Sequence, residues 1–506
     1  MKGLRKFLCS AALRIVILFI LNILICLTMA YFNILIYYYL SCLLISIISI
    51  FFITHSPEKD VYKAISFLLI LMFPLVGIFY AVTMRVEKGN NKLKKEWKDI
   101  TLRNRKTIFQ NNDTLMSLKS SSIEAYKNTN YIIDSIGMPC YTGVASKYYP
   151  DGDSYYKDVF EECKKAEKYI FIENYKIIPG EIWTELFNIL RLKAREGVAV
   201  KLVYDDVVCR RYIPHSDFLK MQNHGIETVP FNKVGKGYNG NFVNCRNYKR
   251  LFVIDGKVGF IGGFNISNEY SKVDEFNNPT RNCALRLEND AVKNLIVMFI
   301  EDYQFATKKV IKLADYFAEY KPSKHKNWVL PYSKNPVIRE HHDKSFILNL
   351  INNTKESITV TTSYIALDDE LKNALIVNAR SGIKVKLVFG GVKVSKSIKA
   401  LARSYFYELI KEGVEVYEYK GGRLETRLIV VDNNTALMST INLDCSKTYQ
   451  HFNAGVYMHG EIVNQINKDT NDLLVNSQLI TIKDLQKRKL GEKLRASWLN
   501  FIALFR

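Results

Sequence analysis

The sequence predicts an α/β chain in which two pseudo-symmetric domains follow an N-terminal transmembrane helical module. Three observations carry that expectation. Residues 7–57 hold a single formal charge, Arg14. Strand and helix patterns then alternate in two separate stretches, as helices packed on a parallel or mixed sheet require. A hairpin-centred motif recurs once, 177 positions further on, the spacing of a duplicated domain rather than of a solenoid.

The membrane module is expected over residues 1–84. Positions 15–53 are uncharged, room for two helices of the roughly 20 residues that span a bilayer, and Ala64–Val82 is a third apolar segment. A cleaved signal peptide needs a much shorter apolar run. Lys2, Arg5, Lys6 and Arg14 precede this region; Arg85, Lys88, Lys92, Lys94, Lys95 and Lys98 follow it. Positive charge on both flanks puts both ends in the cytoplasm and demands an even number of crossings. Three segments are one too many. Either one is re-entrant or interfacial, or 15–53 is not two full spans.

Residues 85–140 read as a basic connector. The first soluble domain is expected over 141–325. Tyr155–Lys168 is helix-like, Tyr169–Glu173 a strand, Trp183–Arg195 an amphipathic helix closed by Gly197, and Val198–Tyr204 a strand ending in Asp205-Asp206. Those aspartates either line a pocket or cap the next helix. The second domain, expected over 326–477, repeats the order: His341–Lys355, Ser357–Thr362, Asp368–Arg380 closed by Gly382, and Ile383–Phe389. In the tail, 478–506, Leu490, Leu494, Trp498, Ile502 and Phe505 share one helical face, suited to a membrane interface or to docking on the domains.

Composition narrows the partners. A net charge of +21 over 506 residues favours anions: nucleic acid, phospholipid head groups or phosphorylated substrates. No aromatic-interleaved platform accompanies the basic connector, so nucleic acid is not expected. Anionic lipid beside apolar helices is the simpler partner. Nine scattered cysteines without a C-x-x-C pair, and eight dispersed histidines, imply neither a disulfide framework nor a metal site. No cofactor is expected.

The motif itself runs from Arg246 to Asn265, RNYKRLFVIDGKVGFIGGFN. Two β-like runs joined by Asp255-Gly256 are a strong hairpin signal. Read alone, it is either a buried hairpin with solvated charges or a place where Tyr248, Arg250, Asp255 and Asn265 converge on one anion. In the second copy Glu425, Arg427, Asp432 and Asn442 take the same places in order.

With both copies in view, the chain resembles the phospholipase D superfamily, specifically bacterial cardiolipin synthases. The likeness is distributed: Phe73–Gly77, Phe171–Tyr175, Tyr204–Asp206, Val253–Asn265, Ala284–Glu288, Asp368–Leu371, Gly413–Tyr419 and Thr440–Asp444. It implies two phospholipase-D-like domains with one cleft between them. It also implies a multi-pass protein of the bacterial cell membrane, with phosphatidylglycerol and cardiolipin as lipid partners. The implied reaction condenses two phosphatidylglycerols to cardiolipin and glycerol.

The family's signature is H-x-K-x-x-x-x-D in each half, one histidine attacking phosphorus and the other protonating the leaving alcohol. Here the copies read Tyr248-Lys249-Arg250…Asp255 and Glu425-Thr426-Arg427…Asp432. Both histidines and both lysines are replaced, so the two-histidine mechanism is not available. Arginine keeps the charge and can grip phosphate through two N–H groups, so Arg250, Arg427, Asn265 and Asn442 are the expected phosphate ligands. A phenol of pKa about 10 is ionised only in about one molecule in a thousand at pH 7. A tyrosyl nucleophile therefore needs neighbouring cations such as Lys249, Arg250 and Arg427. Glu425 either stands as a fixed carboxylate that repels substrate or pairs with Arg250 and Arg427. Ser439 replaces a family glycine, Asn453 a family glutamate, and His451 lies just beyond the second motif. Two readings stay open: a phosphatidyltransferase with altered chemistry, or a silent paralogue that binds anionic phospholipid or partners an active cardiolipin synthase. A third, a nucleic-acid phosphodiesterase, is disfavoured by the apolar segments.

Overall fold

The structure is a computed structural model and describes residues 11–55, 60–73, 76–79, 91–233, 245–271, 280–320, 324–336, 342–444, 451–486 and 491. The amphipathic tail beyond Gly491, and residues 74 and 75 of the Phe73–Gly77 match, lie outside these residues. The chain forms two compact units, one of residues up to Asn90 and one beginning at Asn91.

The first unit is helical: α1 (Ala11–Tyr31), α2 (Leu35–Thr54) and α3 (Asp60–Met72). Ser46 of α2 donates to the Ile70 carbonyl of α3 at 3.3 Å, so a polar bond joins two apolar helices. Large side chains face outward, Leu27, Phe51 and Phe52 each 63% exposed and Tyr31 82%. Among the described residues, no helix is long and apolar enough to cross a membrane. The expected transmembrane module is therefore corrected to an apolar helical unit.

The second unit holds both repeats. In the first, β2 (Ser146–Tyr149), β3 (Tyr169–Asn174), β4 (Ala199–Asp205), β5 (Ile226–Phe231), β6 (Arg250–Ile254), β7 (Val258–Gly262) and β8 (Ala284–Glu288) form one sheet in the order β2-β8-β7-β6-β3-β4-β5. The second sheet contains β1 (Tyr141–Thr142) and β9 (Asn327–Lys334), then β10 (Ser357–Thr362), β12 (Lys384–Gly390), β13 (Glu415–Tyr419), β14 (Leu428–Val431), β15 (Thr435–Ser439), β17 (Asn453–Gly460) and β18 (Ser477–Leu479). A two-stranded pair, β11 (Ile365–Ala366) and β16 (Leu443–Asp444), stands apart from it. Its order is β1-β9-β17-β15-β14-β10-β12-β13-β18, so the run β17-β15-β14-β10-β12-β13 repeats β8-β7-β6-β3-β4-β5 strand for strand. In each half three strands are parallel and the motif hairpin pairs antiparallel beside them.

The crossover helices match the sequence periodicity closely. Gly152–Lys165 (α4) and Glu181–Arg195 (α5) flank β3, and His342–Asn352 (α6) and Asp369–Arg380 (α7) flank β10. Asp151 and Asp368 accept backbone N–H groups at the starts of α4 and α7, satisfying donors that a helix N-terminus leaves open. The helix Val292–Thr307 packs against β5, β6 and β7 of one sheet and β9 of the other, with thirteen of its sixteen residues buried. The basic connector is folded too. In helix Asn91–Arg105, Trp97 is buried and stacks on Phe305 with ring centres 4.3 Å apart.

Candidate functional site

The two motif hairpins are built alike. In the first, Asp255 and Gly256 both take left-handed φ (51° and 68°) and Lys257 N–H closes the turn on Ile254. The register Ile254↔Val258 leaves three residues between paired positions, where two were expected. Asp432 and Asn433 repeat the geometry, with Val431↔Thr435.

This turn also decides what the motif aspartates do. Asp255 accepts the backbone N–H groups of Glu167, Lys168 and Tyr169, each at 2.8 Å. Asp432 does the same for Lys355, Glu356 and Ser357, with N···O distances down to 2.8 Å. Both carboxylates brace the start of a central parallel strand, at the far end of the hairpin from Arg250 and Arg427. The expected convergence of Asp255 and Asp432 on the anion does not occur.

What does converge comes from the other end of each hairpin. Arg250 Nε donates to Asn265 Oδ1 at 2.6 Å, and Arg427 Nε donates to Asn442 Oδ1 at 2.8 Å. Each guanidinium is thus hung from its asparagine by the inner nitrogen. Arg250 also donates through Nη1 to the Tyr248 carbonyl at 2.9 Å and lies 5.2 Å from the Tyr175 ring centre. Asn442 Oδ1 further accepts from Ser363 Oγ at 2.7 Å. Burial pushes the Arg427 guanidinium below its ordinary value; Glu425 counters this and Arg250 adds to it. Two like charges thus sense each other across the halves.

Glu425 has a defined role. Its carboxylate pairs with Arg423 at 2.6 Å and accepts the Tyr270 hydroxyl of the other half at 2.9 Å. Tyr270 in turn accepts from Asn265 Nδ2 at 2.6 Å. Direct pairing of Glu425 with Arg250 and Arg427, one expectation above, is not what forms: its direct partners among the described residues are Arg423 and Tyr270. Burial raises the Glu425 carboxyl, but Arg423, Arg427, the Tyr270 hydroxyl and Arg250 together pull it below the ordinary carboxylate range. It is an anion at neutral pH and unsuited to act as an acid. Three guanidiniums against this one carboxylate leave the site cationic.

In the first half, Tyr248 stands at the motif position that matches Glu425. Its ring stacks on Tyr175 with centres 4.3 Å apart and meets His451 edge-on at 4.7 Å. His451 Nδ1 accepts the Arg246 backbone N–H at 3.1 Å, which places the neutral ring's proton on Nε2. The other cations of the basic cluster are spent elsewhere. Lys249, 2% exposed, pairs with Asp302 at 2.8 Å, and Arg246 pairs with Asp205 at 3.3 Å. Lys249 is therefore not placed to serve Tyr248 as expected. Asn247 donates to Glu173 and to Asp302, completing a buried polar cluster beneath the strand. Burial and the neighbouring Asp302 push Glu173 well above its ordinary value. Asp205 caps the helix that follows it through Val208 N–H at 3.0 Å, so the capping alternative holds for that residue.

Main-chain bonds tie the halves together at both motifs. Tyr248 N–H donates to the Phe452 carbonyl and Phe452 N–H to that of Arg246, both at 2.9 Å. Glu425 N–H donates to Arg281, and Arg281 N–H to Arg423, both at 2.8 Å. Asn453 accepts from Thr440 Oγ1 at 3.1 Å and, with Ser439, serves the loop backbone.

Sequence reading missed Tyr270, Tyr175 and Arg423. One signal was present for the last: Arg423, Glu425 and Arg427 alternate, the period that places side chains on one face of an extended chain. Tyr270 carried none, since only the tertiary fold brings it to Glu425.

Residues 347–474 match a family model described as cardiolipin synthase, PLD-like domain. A cardiolipin synthase of Alkalihalophilus pseudofirmus is 28% identical over 427 residues, 83% of each chain. An uncharacterized protein of Streptococcus mutans is 29% identical over 449 residues, 88% of this chain and 97% of that one. The fold is similar to that of a phosphatidylserine synthase of Haemophilus influenzae, with a TM-score of 0.57 at 13% identity over 75% of this chain and 98% of that one.

Proposed function

Because this chain belongs to the bacterial cardiolipin synthase family of the phospholipase D superfamily, we propose that the Arg250–Arg427 site binds the phosphate of an anionic phospholipid without carrying out two-histidine transfer. Phosphatidylglycerol and cardiolipin are the lipids that family membership favours. One observation carries the reading: each arginine is held by its inner nitrogen on an asparagine, in pseudo-symmetric positions, beside a carboxylate already neutralised by Arg423. Phosphate binding by a fork of N–H donors needs no titrating group. Transfer does need one, and neither Tyr248 nor the ionised Glu425 replaces the histidine pair.

The exposed apolar side chains of α1 and α2 support attachment to a membrane, where such lipids reside. A second reading, transfer through Tyr248 Oη, is favoured only by the imidazole of His451 beside it.

Expression in a host lacking cardiolipin separates the two. The wild type is expected to make none, while Tyr248→His/Arg250→Lys/Glu425→His/Arg427→Lys tests whether the scaffold still supports the chemistry. Cardiolipin from the wild type, abolished by Tyr248→Phe, overturns the binding-only reading.

A further inference from the structure

A second feature lies away from the motif site. The helix Asn91–Arg105 carries Lys95, Asp99 and Arg103 at successive turns, and this stripe faces the C-terminal end of the helix Val292–Thr307. Between them is a cavity of about 620 Å³ whose lining also includes Lys308 and Lys309. Four cationic side chains thus meet two carboxylates, Glu96 and Asp99, and the balance is positive. Glu96 is already neutralised by Lys308, and Lys309 leans on Glu227 at 3.1 Å. Arg103 spends one nitrogen on Gln304 at 3.2 Å. Lys95 and Arg103 are both solvent-exposed and are the cations most available to an incoming anion.

Two further observations say where that anion comes from. Apolar side chains stand exposed at this surface: Val310, 72%, in the cavity wall, and Leu102, 49%, next to Arg103. Cations with exposed aliphatic neighbours suit a lipid surface better than a dissolved ion. Moreover, the helix that supplies the stripe opens the second unit, so the chain immediately before it belongs to the apolar unit of α1 to α3.

We propose that this cavity is a second anion site, taking the phosphate of an anionic membrane-lipid head group, separate from the Arg250–Arg427 site. Mass spectrometry of the intact, detergent-solubilised full chain tests it, with dioleoylphosphatidylglycerol titrated against dioleoylphosphatidylcholine. The wild type is expected to retain two phosphatidylglycerols. Lys95→Gln/Arg103→Gln is expected to retain one, the other weakened about 30-fold by loss of two surface charges. Arg250→Gln/Arg427→Gln is expected to lose the other lipid and keep this one. If the motif site binds nothing, the wild type keeps a single lipid that only Lys95→Gln/Arg103→Gln removes. The proposal is overturned if Lys95→Gln/Arg103→Gln titrates like the wild type, or if phosphatidylcholine is retained equally. It is also overturned if millimolar inorganic phosphate displaces the lipid, since the site then reads free phosphate.

Discussion

Glu425 adds a carboxylate to the site without reversing its charge. Arg423 pairs with it directly, and Arg427 and Arg250 lie close enough to help hold it ionised. Replacing it by glutamine removes the remaining repulsion, so Glu425→Gln is expected to bind phosphatidylglycerol about tenfold more tightly in a micelle titration, and Arg427→Gln about tenfold more weakly. Tighter binding by Arg427→Gln would count against an anion at this place. Lys249 is the opposite case, a cation buried for structure. Asp302→Ala strands it in the core, and a loss of about 3–5 kcal/mol is expected, read as a lowered melting temperature. His459, buried on β17 with Thr435 Oγ1 at 2.9 Å from Nδ1, has its imidazole pushed down to about 4 by burial. The unfolded chain binds this proton near pH 6.5 and the folded chain only near 4, so stability falls as pH drops through that window and levels off below it. The contribution is at most about 3 kcal/mol, and His459→Gln is expected to flatten the melting temperature between pH 7 and 4.

At the scale of elements, the motif hairpins separate two tasks that a linear reading runs together. Their turns fasten strands and their open ends carry the paired arginines and asparagines. Asp255→Ala removes the acceptor for three backbone N–H groups, so a loss of about 2–4 kcal/mol in stability is expected, with lipid affinity of the folded fraction unchanged. A fall in affinity larger than the fall in folded protein would return Asp255 to the site. Much of this was legible beforehand. Hydrophobic periodicity located the four crossover helices, and the repeat located Arg250, Arg427, Asn265 and Asn442, because period and spacing are local properties. The partners of Glu425 were not legible: Arg250 and Arg427 were expected, and only the folded backbone brings Arg423 and Tyr270 to it. Nor did the helix Val292–Thr307 announce itself. Buried on nearly every side, with Asn294, Glu301, Asp302 and Gln304 among its buried residues, it lacks the polar face by which a surface helix is recognised.

Across the whole second unit, the two repeats are pseudo-symmetric but not separable. The strand Tyr141–Thr142, ahead of the first repeat, pairs with β9 of the second sheet, and Tyr148 of β2 donates to Asp469 across the halves at 2.7 Å. A fragment of residues 326–477 would expose the surface that the helix Val292–Thr307 covers, and such a fragment is expected to aggregate when expressed alone.

The four main-chain bonds that link the halves at Tyr248 and Glu425 have a wider meaning. Amides and carbonyls hold the two positions opposite each other beside the Tyr270–Glu425 and Tyr248–His451 contacts, so part of the brace does not depend on the side chains displayed there. A motif braced in this way can exchange histidine for tyrosine or glutamate as freely as a socket takes a different bulb. Backbone bracing and side-chain chemistry at these two positions are then free to drift on separate clocks.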